Sequence, residues 1–265
     1  MKNYNDSVVC ITGASSGIGE ALAYQFAKEG ATLALIARRK EVLEQVQSKC
    51  LRYTSRCFIF PFDLSKTEEL GGLSKEILNK TEKVDILVNN AGISQRSLAE
   101  ETPLEIDRKI MEINFFSAVA LTKQLLPSMI SKKGGHIVVI SSVVGKFGFP
   151  MRTAYSASKH AVQGYFESLR AELNPYKIKV TIVSPGRIRT EVSRNALTKE
   201  GQPHGQMDPG QEKGMDVTVS AKRIVRGIKR NKKDFLVGRQ ELVMVFLRRF
   251  FPSVYHRMVL RVSAT

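Results

Sequence analysis

Short apolar runs alternate with stretches of helical spacing almost from end to end of the chain. Val8–Thr12, Thr32–Ala37, Arg56–Phe60, Ile86–Val88, His136–Ser141, Lys179–Val183 and Phe235–Val237 read as strands. Runs such as Leu33-Ala34-Leu35-Ile36-Ala37 have no polar side, which suits strands buried on both faces. Between them, Ile18–Glu29, Glu41–Lys49, Leu104–Lys132, Ala154–Asn174 and Ala221–Asn231 place apolar residues three and four apart and read as helices. Strand–helix alternation of this kind predicts an α/β fold, a single doubly wound parallel sheet of about seven strands with helices on both faces.

Two segments depart from the rhythm. Residues 195–216 are polar and rich in Gly and Pro, a long connection of the kind that serves as a lid, so a lid is placed at about 190–217. Beyond Val237, Glu241–Phe251 reads as a helix, Pro252 breaks it, and Val254–Val262 resumes among basic residues. One domain therefore spans 1–240, and 241–265 is a basic, apolar extension packed on it.

Composition narrows the class. Three cysteines, Cys10, Cys50 and Cys57, show no C-x-x-C spacing, which argues against a disulfide scaffold and for a reducing, cytoplasmic setting. Met1–Asp6 is short and polar, predicting no secretory signal, and the longest apolar run, Leu242–Leu247, is far below the roughly 20 residues of a membrane span. The 41 Lys and Arg against 25 Asp and Glu give +16, but residues 221–265 hold 12 of the basic and only two of the acidic side chains. That concentration, without a nucleic-acid-reading motif, argues against a nucleic-acid protein. It leaves a solvated face, an acidic membrane surface or an anionic partner open.

Thr12-Gly13-Ala14-Ser15-Ser16-Gly17-Ile18-Gly19 joins the first strand to the first helix. Glycines there permit a tight turn and let the backbone approach a pyrophosphate lying at the helix N-terminus, the arrangement of a Rossmann-type sheet. Tyr155 and Lys159 are four apart on one predicted helix, hence on one face. A neighbouring ammonium favours the phenolate and brings a phenol's proton exchange towards neutral pH. The second strand ends Ile36-Ala37-Arg38-Arg39, with Ala37 where an acid would bind the ribose hydroxyls of NAD; Arg38, and beside it Arg39, suit the 2′-phosphate of NADP(H) instead.

With spacing G-x-x-x-G-x-G, the chain resembles the classical branch of the short-chain dehydrogenase/reductase (SDR) family over about residues 7–240, in a pattern similar to the member-7-like dehydrogenase/reductases. Asn89-Asn90-Ala91-Gly92, Asn114, Ser142, Tyr155, Lys159 and Pro185-Gly186 with Ile188 and Thr190 follow in the family's order. A second Tyr-x-x-x-Lys, Tyr24 with Lys28, has no such company and reads as helix surface. The resemblance implies that Tyr155 is the general acid/base, that Ser142 orients the substrate oxygen, and that Lys159 also holds the nicotinamide ribose. It implies that Asn114 places a relay water. Asp63-Leu64 would contact adenine, and Asn90, Ala91 and Gly92 would run beside the adenosine ribose. Pro185, Gly186, Ile188 and Thr190 would line the nicotinamide side, while Gly13, Ser15, Ser16, Gly17, Ile18 and Gly19 form the phosphate turn. His136, His160 and His204 have no metal-ligand spacing.

These residues predict an NADP(H)-dependent oxidoreductase acting on a carbonyl/secondary alcohol pair. Val143–Met151, with Phe147, Phe149 and Met151, predicts an apolar substrate, and Lys146 and Arg152 are candidates either to meet an anionic substituent or to lie at the surface. The rivals are a non-catalytic NADP(H) sensor or scaffold and a membrane-surface adaptor. The resemblance implies a homodimer or homotetramer. For the extension, pocket cover, subunit interface and peripheral membrane contact all stay open.

Overall fold

In the computed structural model, which describes residues 4–261, seven parallel strands form one sheet in the order β3-β2-β1-β4-β5-β6-β7. The strands are β1 (Val8–Thr12), β2 (Thr32–Ala37), β3 (Cys57–Pro61), β4 (Ile86–Asn89), β5 (Gly135–Ile140), β6 (Ile178–Pro185) and β7 (Asp234–Val237). The helices are α1 (Gly17–Lys28), α2 (Lys40–Cys50), α3 (Leu70–Thr81), α4 (Leu104–Met111), α5 (Ser117–Ser131), α6 (Thr153–Glu172), α7 (Pro209–Glu212), α8 (Val217–Lys229), α9 (Val243–Phe250) and α10 (Pro252–Val259). The predicted doubly wound α/β sheet is the observed one.

Side-chain alternation explains the two faces. On β2, Leu33, Leu35 and Ala37 join Leu22 and Phe26 of α1, Leu43 of α2 and Ile224 of α8 in one apolar layer. Ala34 and Ile36 point the other way, to Leu73 and Ile77 of α3, Leu121 of α5 and Phe166 of α6. Both faces of each central strand are thus removed from water, which is why these strands carry no polar side.

Three elements differ from expectation. The predicted helix Leu104–Lys132 is interrupted by a π-turn over Glu112–Phe116, where one extra residue per turn swings Asn114 inward. α3 has no counterpart in the predicted set, since Gly71 and Gly72 dilute the helical signal that Leu70, Leu73 and Ile77 provide. The extension forms two helices, with Pro252 opening the second rather than only ending the first. Val262, the predicted end of that helix, lies outside the described residues.

β1 leads away to β2 and β3 on one side, and β4 returns to β1's other side. A crevice opens at the strand ends where the winding reverses, just beyond Thr12 and Asn89.

Candidate active site

A cavity of about 1350 Å³ fills that crevice. It exceeds the roughly 300–1,000 Å³ usual for a small ligand, leaving room for a dinucleotide and a substrate together. At one end stand Gly13, Ser15, Ser16, Gly17 and Ile18. Gly13 has φ +64°, and a Cβ there would come within 2.9 Å of the Ala91 backbone, so only glycine turns this corner. Ser16 precedes α1 in extended conformation without capping it by its side chain, which leaves first-turn amides for an anion. These features fit a dinucleotide pyrophosphate.

Gly19 plays a different part from the one expected. It does not border the cavity; a Cβ there would sit 2.3 Å from the Gly13 carbonyl oxygen, so its hydrogen lets α1 close onto the turn. Buried Thr12 ties this turn to the next: its Oγ1 accepts the Asn90 and Ala91 amides at 2.9 and 3.0 Å, while Asn90 Nδ2 donates to the Thr12 carbonyl at 2.9 Å. Asn90, Ala91 and Gly92 thereby line the cavity floor.

Arg38 and Arg39 stand at the rim with Asp63 and Leu64. Arg39 Nη2 donates to Ser15 Oγ at 3.4 Å. Burial opposes ionisation of Asp63, but hydrogen bonds from Ser65 and the charges of Arg38 and Lys66 outweigh it and hold the carboxyl below its ordinary range. Across the cavity are Pro185, Gly186, Ile188 and Thr190, and the Thr190 side chain faces Gly17.

At the inner end, Ser142, Tyr155 and Lys159 share the wall. Ser142 Oγ accepts the Val144 amide at 3.3 Å and donates to the Pro185 carbonyl at 3.5 Å. Lys159 is buried, and its Nζ donates to the Ile140 carbonyl at 3.0 Å. Burial lowers its pKa to about 8. Burial raises the Tyr155 pKa; the neighbouring Ser142 hydroxyl and the charges of Arg96 and Arg152 act against that rise without cancelling it. Lys159 Nζ lies 5.8 Å from the Tyr155 ring centre. The cations acting on the phenol are therefore chiefly two arginines, not the lysine one turn away.

Asn114 does not border the cavity either. It is buried behind Gly92, where its Oδ1 and Lys159 Nζ would lie 3.1 and 3.4 Å from a Cβ added to that glycine. Its Oδ1 accepts the Ile93 amide, and its Nδ2 donates to the Ile93 carbonyl and to Ser158 Oγ.

The loop after β6 lies over the cavity. Thr190, Asn195, Leu197, Asp208 and Gln211 border it, and Leu197 exchanges backbone bonds of 2.8 and 2.9 Å with Arg96 and Ser94. Buried Asp208 receives Arg96 and Arg152. The start of the extension closes another side. Glu241 Oε1 accepts the Arg187 amide at 2.9 Å, and Met244 and Tyr255 join Val144, Phe147 and Phe149 in an apolar cluster. Lys146, read from the sequence as either an anion contact or a surface residue, pairs with Asp234 at 2.6 Å and does not border the cavity. Arg96, Asp208 and Glu241 escaped notice in the sequence; Arg96 and Asp208 are 112 residues apart, and no spacing rule links them.

Residues 7–201 match the family model described as short chain dehydrogenase. This chain belongs to the short-chain dehydrogenase family. Its members include an Anopheles gambiae protein named dehydrogenase/reductase SDR family protein 7-like, 46% identical over 96% of this chain and 82% of that one. A short-chain dehydrogenase from Streptomyces avermitilis has a similar structure, with TM-score 0.81, 30% identity and 95% of each chain covered. An alcohol dehydrogenase from the archaeon Thermococcus sibiricus, complexed with 5-hydroxy-NADP, matches at TM-score 0.75 and 27% identity over 88% of this chain and 96% of its own. Other solved structures with this fold hold NADP in one case and NAD in another. As a short-chain dehydrogenase, the chain is an oxidoreductase with a nicotinamide nucleotide site and a small-molecule substrate.

Proposed function

We propose that this short-chain dehydrogenase uses NADP(H) to interconvert a carbonyl and a secondary alcohol on a largely apolar compound. The observation that carries the reading is the continuity of one cavity from the Gly13 turn and Arg38/Arg39 rim to Ser142, Tyr155 and Lys159. Bound NADP(H) supplies hydride chemistry at the nicotinamide ring. Tyr155 holds the proton that goes to the carbonyl oxygen in reduction and receives it back in oxidation. Ser142 donates to that same oxygen and fixes its direction. Lys159, whose Nζ donates to the Ile140 carbonyl, steadies the nucleotide ribose and feeds Tyr155 with protons. Arg38 and Arg39 favour the 2′-phosphate, since guanidinium offers paired donors to phosphate oxygens.

Fluorescence titration with NADPH and NADH, followed by turnover on a panel of apolar ketones and aldehydes, tests this. NADPH should bind at least about tenfold more tightly, as expected of one charge-assisted hydrogen bond, and should be consumed. Binding without turnover across the panel would favour a nucleotide sensor, and binding of neither nucleotide would overturn the proposal.

The outer face of the extension favours a second role, at a membrane surface. Phe246, Phe250 and Phe251 are exposed and cluster with ring centres 4.8 and 5.9 Å apart, beside Arg248 and Arg249. The contact proposed is peripheral, through this aromatic and basic face; among the described residues no helix is long and apolar enough to cross a membrane. Sedimentation with acidic but not neutral vesicles is expected, in a cytoplasmic setting that keeps Cys10, Cys50 and Cys57 as thiols. We also propose self-association through the α4–α5 and α6 faces, where Leu104 and Phe116 are exposed; a monomer by light scattering would refute it.

A further inference from the structure

Next to the proposed proton donor lies a charge cluster that the chemistry above leaves unused. Arg96 comes from the loop after β4, Arg152 from the residue preceding α6, and Asp208 from the loop over the cavity; all three border the cavity. The Arg and Asp side chains are only 3–12% exposed. Burial resists ionisation of Asp208, but the hydrogen bonds and charges of Arg96 and Arg152 outweigh it and keep it a carboxylate. Two guanidinium cations then face one carboxylate, leaving an excess positive charge beside the apolar Phe149 ring. An uncompensated buried charge is unfavourable, and a bound anion relieves it.

The hydrogen bonds show which arginine has donors to spare. Arg96 spends its fork on the fold: Nε donates to both Asp208 oxygens at 3.2 and 3.1 Å, Nη2 to Oδ2, and Nη1 to Ser94 Oγ and the Gln95 carbonyl. These bonds tie the loop to the segment after β4. Arg152 gives Asp208 a single bond of 3.0 Å and the Pro150 carbonyl another of 3.3 Å. Of its five N–H groups, Nε–H and one on each terminal nitrogen have no partner among the described residues. Phe149 supports the guanidinium, with the carbon 4.9 Å from its ring centre, which fixes the plane of the fork. Arg152 also stands at the N-cap of α6, three residues before Tyr155, and both border the cavity.

We propose that Arg152 is a specificity residue that receives an acidic group, carboxylate or phosphate, on an otherwise apolar carbonyl substrate, with Arg96 and Asp208 holding it in place. The assignment rests on the oxidoreductase reading and names its substrate class. The acidic group sits beside the reacting carbonyl, one helical turn towards the start of α6, and its binding orients the carbonyl to Tyr155.

Three matched probes test it: 4-acetylbenzoate, 4-acetylphenyl phosphate and methyl 4-acetylbenzoate, the neutral counterpart. Binding is measured by calorimetry with and without NADPH, and kcat/KM where turnover occurs. At least one acid should bind about tenfold or more tightly than the ester, the scale of a charge-assisted bond, and the tighter acid identifies the natural group. R152M should bring the acid-to-ester ratio close to one, R152K should leave an intermediate ratio because the planar fork is lost, and K146A should leave it as in the parent protein. Equal affinity for acids and ester overturns the proposal. So does an R152M effect that falls equally on acid and ester, which would make Arg152 part of that loop tie only. A protein that binds no NADPH would sink the oxidoreductase reading, while the acid-to-ester ratio measured without nucleotide still decides this one.

Discussion

Asn114 and Ile93 are joined by a reciprocal pair of hydrogen bonds, the Ile93 amide to Oδ1 at 2.8 Å and Nδ2 to the Ile93 carbonyl at 2.9 Å. The π-turn in the helix places the amide side chain there, and Ser158 Oγ, 2.9 Å from Nδ2, connects it to α6 one residue before Lys159. The loop carrying Gly92 and the helix carrying Tyr155 are therefore registered by one side chain.

N114A should cost about 1–3 kcal/mol, because the Ile93 amide and carbonyl lose their partner in a buried place. Turnover should fall more than this loss of stability explains at temperatures where the variant is fully folded. Urea denaturation and kcat measured on the same preparation separate the two effects.

Y155F removes the proton at the reacting oxygen and leaves the Gly13 turn intact. Turnover should fall by about 10²–10⁴, the usual worth of a positioned acid, with NADPH affinity little changed. In the parent protein, burial places Lys159 near pH 8. Carbonyl reduction should then decline as pH rises through about 8, where the lysine loses the proton that resupplies Tyr155. A rate independent of pH from 7 to 9 would remove Lys159 from the proton path.

R38A and R39A should each weaken NADPH binding by about tenfold, the worth of one charge-assisted hydrogen bond to the phosphate, while leaving NADH almost unaffected. Arg39 already reaches Ser15 of the glycine turn, and Arg38 acts on Asp63. Equal losses for both nucleotides would show that neither arginine reads the 2′-phosphate.

His136 lies buried on β5 with its Nε2 2.8 Å from Thr181 Oγ1, and burial together with the Lys179 charge lowers its pKa to about 4. The unfolded chain takes up this proton near pH 6.5, whereas the folded chain does not until about pH 4. Stability is therefore lost as pH falls between those values, by about 3 kcal/mol from this group. H136N should flatten that part of the pH–stability curve relative to the parent protein, as measured by urea midpoints from pH 7 to 4.

Much of this was legible in the residues themselves. Unbroken apolar strands announced a doubly covered parallel sheet, because a strand with no polar side has nowhere to face water. Gly13, Gly17, Ser142, Tyr155 and Lys159, singled out by order and spacing, border one cavity, because each sits at a fixed distance from the end of a strand or along one helix. Packing puts three residues away from the cavity: Gly19 serves the closure of α1 onto the turn, Asn114 lies behind Gly92, and Lys146 pairs with Asp234. A π-turn leaves no periodicity signal strong enough to reveal such a rotation.

Local chemistry, then, was determined by the sequence: strand burial, the phosphate turn and the Tyr155–Lys159 face depend on neighbours a few residues apart. The electrostatics around Tyr155 were decided only by the tertiary structure. Arg96, Arg152 and Asp208 meet from three separate loops, and the extension brings Glu241 to Gly186 and Tyr255 to Phe147. Such meetings follow from how the sheet stacks and the loops return over it, and Coulomb interactions depend on distance in space rather than along the chain.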